Sequence, residues 1–453
     1  MSKISEIIQK YISFFENRRH KKIQNAPLVL QNDPTTLFTS SGMQPLVPYL
    51  LGEKHPQGVR LVNVQNCFRA QDIDEIGDNR HTTFFRMLGN WSLGDYFKTE
   101  EIPWLWEFLT QELKINPQKL HITVFKGTHG VPQDDEAVRI WETLLKRVNL
   151  DSAERISYYS AEKNWWSRSG TPDKMPPGEP GGPDTEIFYE FDTPHDPKFG
   201  ERCHVNCDCG KYIEICNSVF MQYKKQEDGS LKLLEKPNVD FGGGLERLLM
   251  AIENQNDVFL TSLFFPIIQA IEKATGKTYT DHAKEMRIIT DHFIASIMIS
   301  ADGVKPSNKE QGYLLRRLIR RGDDNLNQLQ QTNIQPILET IVEQYKETNP
   351  HLAAKYEEIK NTILEETQKY ERTKTEASKF IQKKYGKTIG DELLGVTEIS
   401  AEDAFVVYTT HGLSPTQIKS LGYTFDDQAF AEKMKIHQSL SQKNSQQKFN
   451  VKG

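Results

Sequence analysis

A chain of 453 residues is too long for one ordinary core, so two or three structural units are expected. Hydrophobic residues at 37% and charged residues at 26% exclude a disordered or fibrous protein. The net charge of −6 confines any nucleic-acid contact to local basic patches, and five cysteines are too few for a disulfide scaffold. The apolar runs at 257–271 and 293–299 are too short or too broken to span a bilayer. No signal peptide opens the chain, so the reading is no membrane partner and a cytoplasmic location.

Apolar positions at helical spacing over 4–20 predict a first helix ending in a basic cluster, Arg18 to Lys22. A polar turn at Asn32-Asp33-Pro34 precedes a short helix over Met43–Leu51 and a β-rich run at Val59–Val64. A strand pair is expected at Asn66–Ala70 and His81–Leu88, then a Trp-rich helix over 102–113, a strand over 120–125 and a helix over 134–148. The Pro/Gly-dense stretch 167–183 predicts an irregular loop. Strands resume at 185–191 and 213–223, ahead of the segment 240–247. Beyond about residue 256 nearly everything to 384 is helical in pattern, and the charged run 352–383 predicts a solvated helical hairpin. The tail 439–453 is polar and linker-like. The expected units are 1–256, rich in sheet, and 257–453, helical.

Two segments carry chemistry. In Asp240-Phe241-Gly242-Gly243-Gly244-Leu245-Glu246-Arg247, three glycines allow a flat ligand to approach the backbone closely, with Arg247 opening a helix. The plain alternative is a Gly-rich turn, and the Glu-Arg ending tips the balance toward a site. In the second, Arg69 on one strand and Phe85 on its return partner form a candidate clamp for ATP, guanidinium on phosphate and ring on adenine, against the plain alternative of a hairpin with core phenylalanines.

Arg69 with the return strand from His81, and Gly242 to Arg247, resembles motifs 2 and 3 of class II aminoacyl-tRNA synthetases. The runs HTTFFRMLGNWSLGDYF from His81, ADGVKPSNKEQGYLLRRLIRR from Ala301, NDPTTLFTSSGM from Asn32 and EICNSVFMQ from Glu214 are similar to the alanyl-tRNA synthetase family in particular. The resemblance runs over essentially the whole chain. It implies an α+β fold, an antiparallel sheet flanked by helices, followed by an all-helical tRNA-recognition part. It also implies an alanine–tRNA ligase that makes alanyl-adenylate from ATP with Mg²⁺ and passes alanine to tRNA(Ala).

The family's motifs assign roles by position. Arg69 and Arg247 would be catalytic and, with His81, Phe85 and Gly244, would bind ATP. Asp240 would hold the alanine ammonium, with Trp166, Val219, Asn217 and Gly242 around the small side chain. Asn308, the arginines 316, 317, 320 and 321 on one helical stripe, and Thr409 would face the tRNA acceptor stem. The arginine stripe reads equally as a solvated face or as intramolecular ion pairs. A pocket for alanine rejects glycine and serine weakly, one methyl group being worth about 1–3 kcal/mol. Relatives add an editing domain, and the expectation is that this chain ends where that domain would begin and is a monomer.

Departures from the pattern are specific. Thr409 replaces the aspartate that partners Asn308 on the acceptor stem's G·U pair, so a G·C replacement is expected to harm charging less than in relatives. Residues 178–184 replace a Gly-Pro-Cys-Gly-Pro run, and Arg86 stands where a glutamate is usual. Cys203-His204-x-x-Cys207-x-Cys209 has no counterpart in the familiar pattern. Three thiols and the His204 imidazole suffice for one structural zinc, with His195 as the alternative fourth ligand. The competing function is a catalytically impaired synthetase-like RNA-binding or regulatory protein, which Arg69, Asp240 and Arg247 disfavour.

Overall fold

The first helix, α1 (Lys3–Glu16), starts where the Ser2 hydroxyl accepts the Ser5 amide and buries Ile4, Ile7, Tyr11, Ile12, Phe14 and Phe15. It ends before the basic cluster. Lys21–Lys22 forms instead a short strand, β1, parallel to β2 (Arg60–Phe68). The computed structural model describes residues 1–29, 36–128, 130–385, 387–389, 392–394 and 398–436. The turn expected at Asn32–Pro34 and the polar tail lie outside the described residues.

A 3-10 turn (Gln44–Leu46) and α2 (Val47–Leu50) lead to β2, which pairs antiparallel with β3 (Phe84–Leu93) from Arg60–Ser92 to Phe68–Phe84. The expected break between a strand at 59–64 and a pair at 66–70 is absent. One continuous strand runs through both, because alternate residues from Leu61 onward keep facing a buried layer. Helix α3 (Lys98–Glu107), β4 (Leu120–Phe125), α4 (Asp135–Arg147), α5 (Ser152–Arg155) and β5 (Ile156–Tyr159) follow. After α6 (Ala161–Asn164) and β6 (Trp165–Ser167), β7 spans Pro180–Glu190, so the end of the expected loop is strand. Long strands β8 (Tyr212–Lys225) and β9 (Leu231–Gly244) complete a nine-stranded sheet of order β1-β2-β3-β9-β8-β7-β4-β5, with β6 on β7. Its interior pairings are antiparallel.

Helix α7 (Leu245–Glu253) leaves β9 directly, and α8 (Phe265–Thr275), α9 (Ala283–Ala301), α10 (Glu310–Gln328), α11 (Gln335–Tyr345) and α12 (His351–Ala354) follow. The run expected as a hairpin is one helix, α13 (Tyr356–Tyr385), of 30 residues. No proline or glycine interrupts it, and Ile359, Ile363, Tyr370, Ala377 and Ile381 keep a single buried stripe. A small hairpin, β10 (Lys387–Ile389) with β11 (Glu392–Leu394), precedes α14 (Ala401–Val406) and α15 (Pro415–Ser420).

One apolar cluster runs from Ile4 to Ile363 and includes Ala251 and Val258 on either side of the expected boundary, while a second joins Tyr370 to Phe430. Polar ties reinforce the first. Thr83 donates its amide and hydroxyl to Asp291 of α9, both at 2.7 Å. Arg86, buried, donates to Glu246 at 2.9 Å and to Thr348 at 3.0 Å, with its guanidinium 4.9 Å over the Tyr345 ring.

Candidate active site

The register of the sheet places the candidate residues in rows. One row reads Gly89, Gly242, Asn217, Glu186 across β3, β9, β8 and β7. The next reads Trp91, Asp240, Val219, Asp184, and Met87 faces Gly244 beyond the first. Directly opposed residues share a face, so these side chains all line one surface. Gly242 to Gly244 are the last residues of β9, extended backbone in mid-sheet, and not a turn.

Asp240 sits half-buried and accepts a hydrogen bond from Trp91 Nε1 at 2.7 Å. Burial pushes its carboxyl up to about 7, partly offset by that hydrogen bond. The indole takes its place because Gly89 has no side chain: a Cβ there would lie 2.2 Å from the Trp91 ring. Val219 packs with Met43, Leu50 and Met221, and Trp166 closes the same small apolar wall. Asn217 Oδ1 is buried without a hydrogen-bond partner among the described residues, while its side chain supports Asp184. Asp184 and Glu186 are both raised, first by burial and then by the neighbouring carboxylate Glu214, with Asn164 and Thr123 as donors.

The nucleotide candidates meet at the other end of this surface. The Arg69 guanidinium lies 4.8 Å over the Phe85 ring and donates from Nε to Ser40 O at 3.3 Å. Arg247 donates to the carbonyl and the carboxylate of Glu214 at 3.1 and 3.3 Å. His81 is held by Asp78, Nδ1 to Oδ2 at 2.7 Å.

The acceptor-stem candidates also converge. Asn308, Arg316, Arg317, Arg320, Arg321, Tyr408 and Thr409 line a cleft of about 1130 Å³ between α10 and the segment 408–417. The four arginines differ in what holds them. Arg320 is buried, donates to Glu366 at 2.8 Å and lies over Tyr370. Arg321 donates to the carbonyls of Ile73 and Ile76, and Arg317 pairs with Asp74. Arg316 lies over the Tyr313 ring. The Thr409 hydroxyl donates back to Phe405 O of α14 at 2.9 Å.

The cysteine cluster needs a correction. Ligand atoms of His195, Cys203, Cys207 and Cys209 all lie within 4.8 Å of one another, and His204 is not among them. Its ring lies instead 3.2 Å from the Tyr159 hydroxyl.

Gly89, Trp91, Met43, Asp184, Glu186 and Glu214 were not singled out from the sequence. Counting by twos along β3 from Phe85 reaches Met87, Gly89 and Trp91, so the signal was present. Met43 and the acidic group come from other elements and leave no local trace.

The model of the family "tRNA synthetases class II (A)" matches residues 6–453. The alanine–tRNA ligase of Borrelia hermsii is 40% identical over 99% of this chain and 74% of its own length. That of Treponema pallidum is 39% identical over 98% and 73%, and that of Acetivibrio thermocellus 36% identical over 98% and 49%. A family match across nearly the whole chain, on a sheet that gathers Asp240, Arg69 and Arg247 on one surface, leaves no other placement: the chain belongs to the class II tRNA synthetases, among the alanine–tRNA ligases.

Proposed function

We infer that this chain activates alanine with ATP and transfers the alanyl group to the 3′ end of tRNA(Ala). The observation that carries the reading is Asp240, a carboxylate fixed by Trp91 beside an apolar wall of Val219, Met43 and Trp166. That combination suits a small amino acid with an ammonium group and one methyl. The orphaned Asn217 Oδ1 supplies a second acceptor beside it.

The chemistry asks little of the protein beyond positioning and charge. A carboxylate oxygen of alanine attacks the α-phosphorus of ATP, the bond from that phosphorus to the bridging oxygen breaks, and pyrophosphate leaves. The terminal ribose hydroxyl of the tRNA then attacks the alanyl carbonyl and AMP leaves. Arg69 would meet the charge growing on the α-phosphate. Arg69 and Phe85 are stacked on each other, and nucleotide binding would exchange that contact for adenine on the ring and phosphate on the guanidinium. Arg247 would take the far side of the nucleotide, with His81 and Gly244 flanking it. Mg²⁺ would neutralise ATP phosphates, and Glu214, half-exposed beside Arg247, is the carboxylate that fits it.

We keep the division at 1–256 and 257–453 as one of tasks, activation before tRNA reading. The cleft of Asn308, Thr409 and the α10 arginines would take the acceptor stem, with Arg316 as the principal phosphate contact. ATP–pyrophosphate exchange dependent on alanine, run beside glycine and serine, tests activation. Robust exchange with alanine is expected. None with any of the three would favour the impaired, regulatory reading.

A further inference from the structure

The segment joining β7 to β8 lies off the reacting surface, yet it gathers three thiols and an imidazole into one sphere. The sulfurs of Cys203 and Cys209 are 3.6 Å apart, and Cys207 Sγ lies 3.8 Å from His195 Nδ1. Two Zn–S bonds of about 2.3 Å at a tetrahedral angle put their sulfurs about 3.8 Å apart. A disulfide needs about 2.05 Å, and all five cysteines are free. The spacing is that of four ligands around one ion.

The surroundings fix the ligand atoms. His195 Nε2 is 2.8 Å from the Gly200 carbonyl oxygen. A carbonyl only accepts, so Nε2 carries the hydrogen and Nδ1 turns its lone pair to the sulfurs. The Cys207 amide donates to His204 O at 2.9 Å, closing a tight turn that returns Cys207 toward Cys203. Thiolate and imidazole donors select zinc over the oxygen-seeking magnesium and calcium.

The loop is also tied to the turn that precedes β3. Arg80 Nη2 donates at 2.6 Å to the carbonyl of Asp208, the residue between two of the cysteines. A Cβ on Gly210 would lie 3.0 Å from Arg80 Nη1, so the guanidinium rests directly on the loop backbone. Arg80 and His81 are both bonded to Asp78, and their turn leads into β3 with Phe85. Three thiolates, one neutral imidazole and Zn²⁺ sum to one negative charge, which the Arg80 cation offsets.

We propose that His195, Cys203, Cys207 and Cys209 bind one zinc ion, and that this folded loop anchors the Arg80–His81 turn through the Asp208 carbonyl. The second half rests on the reading of His81 as part of the ATP site; the first does not. The test starts with zinc counted in the purified full chain, released by a mercurial and read with a chromogenic chelator. One zinc per chain is expected, and cobalt(II) substitution should give the strong visible bands of a tetrahedral thiolate site. Cys203→Ser and Cys209→Ser should lose the metal and His195→Ala should weaken its binding, whereas His204→Ala should keep it. Far less than one zinc in the wild type, or full zinc in Cys209→Ser, overturns the site. Loss in His204→Ala with retention in His195→Ala overturns the ligand set. For the anchoring role, zinc removal should raise KM for ATP several-fold and leave KM for alanine unchanged. An unchanged KM for ATP refutes the anchoring and leaves the metal count standing.

Discussion

Asp240 is a carboxylate that burial holds near neutrality in titration while its proposed task requires it ionised. A proton and the alanine ammonium then compete for the same oxygens. As pH falls below about 7, kcat/KM for alanine should drop, approaching tenfold per pH unit, in alanine-dependent exchange. Asp240→Asn keeps an oxygen for the Trp91 indole and removes the charge. It should lose roughly 10–100-fold in kcat/KM for alanine, from the value of a charge-assisted hydrogen bond, and its profile should flatten in that range. A variant that retains the wild-type slope would place the titrating group elsewhere.

At the scale of elements, β3 meets the helical part of the chain through Arg86, which donates to Thr348 over the Tyr345 ring and pairs with Glu246 of α7. Arg86 and Glu246 form a buried ion pair at 2.9 Å. Arg86→Met leaves Glu246 buried and unpaired and should cost roughly 3–5 kcal/mol in denaturant unfolding. Arg86→Met with Glu246→Leu should recover much of that loss. On α10 the arginines should separate in the same way. Arg320→Ala should lower stability, since it breaks a buried bond to Glu366, and Arg316→Ala should raise KM for tRNA while leaving exchange untouched. Equal effects on both readouts would argue against that division. The sequence made the strands of the site legible through Arg69, Phe85 and the glycines of β9. It left the arginines of α10 undivided, because spacing shows a shared stripe but not the partners, Glu366 and the Ile73 and Ile76 carbonyls, that arrive from distant segments. It likewise named the three clustered cysteines and put the adjacent His204 ahead of His195, its stated alternative, a choice that the fold of the loop reverses.

For the whole molecule, burial of acidic groups sets a pH dependence of stability. Glu101, buried under Asn90 and Tyr96, is pushed up to about 8 by desolvation, against an unfolded value near 4.5. Between those values the native state binds the extra proton, so this contribution to stability is full at low pH and is lost as pH rises toward 8. From pH 6.5 to 8, the Tm of the wild type should therefore fall relative to that of Glu101→Gln; parallel curves would contradict it. The apolar cluster from Ile4 to Ile363 has a further consequence. A fragment ending at 256 would expose the faces that α8, α9 and α11 now cover and should be insoluble or collapsed, with flat near-ultraviolet dichroism. The strands under the proposed alanine site and the helices α8, α9 and α11 thus cannot be traded between proteins like cassettes. They share one interior, so a change of shape on one side must be met on the other.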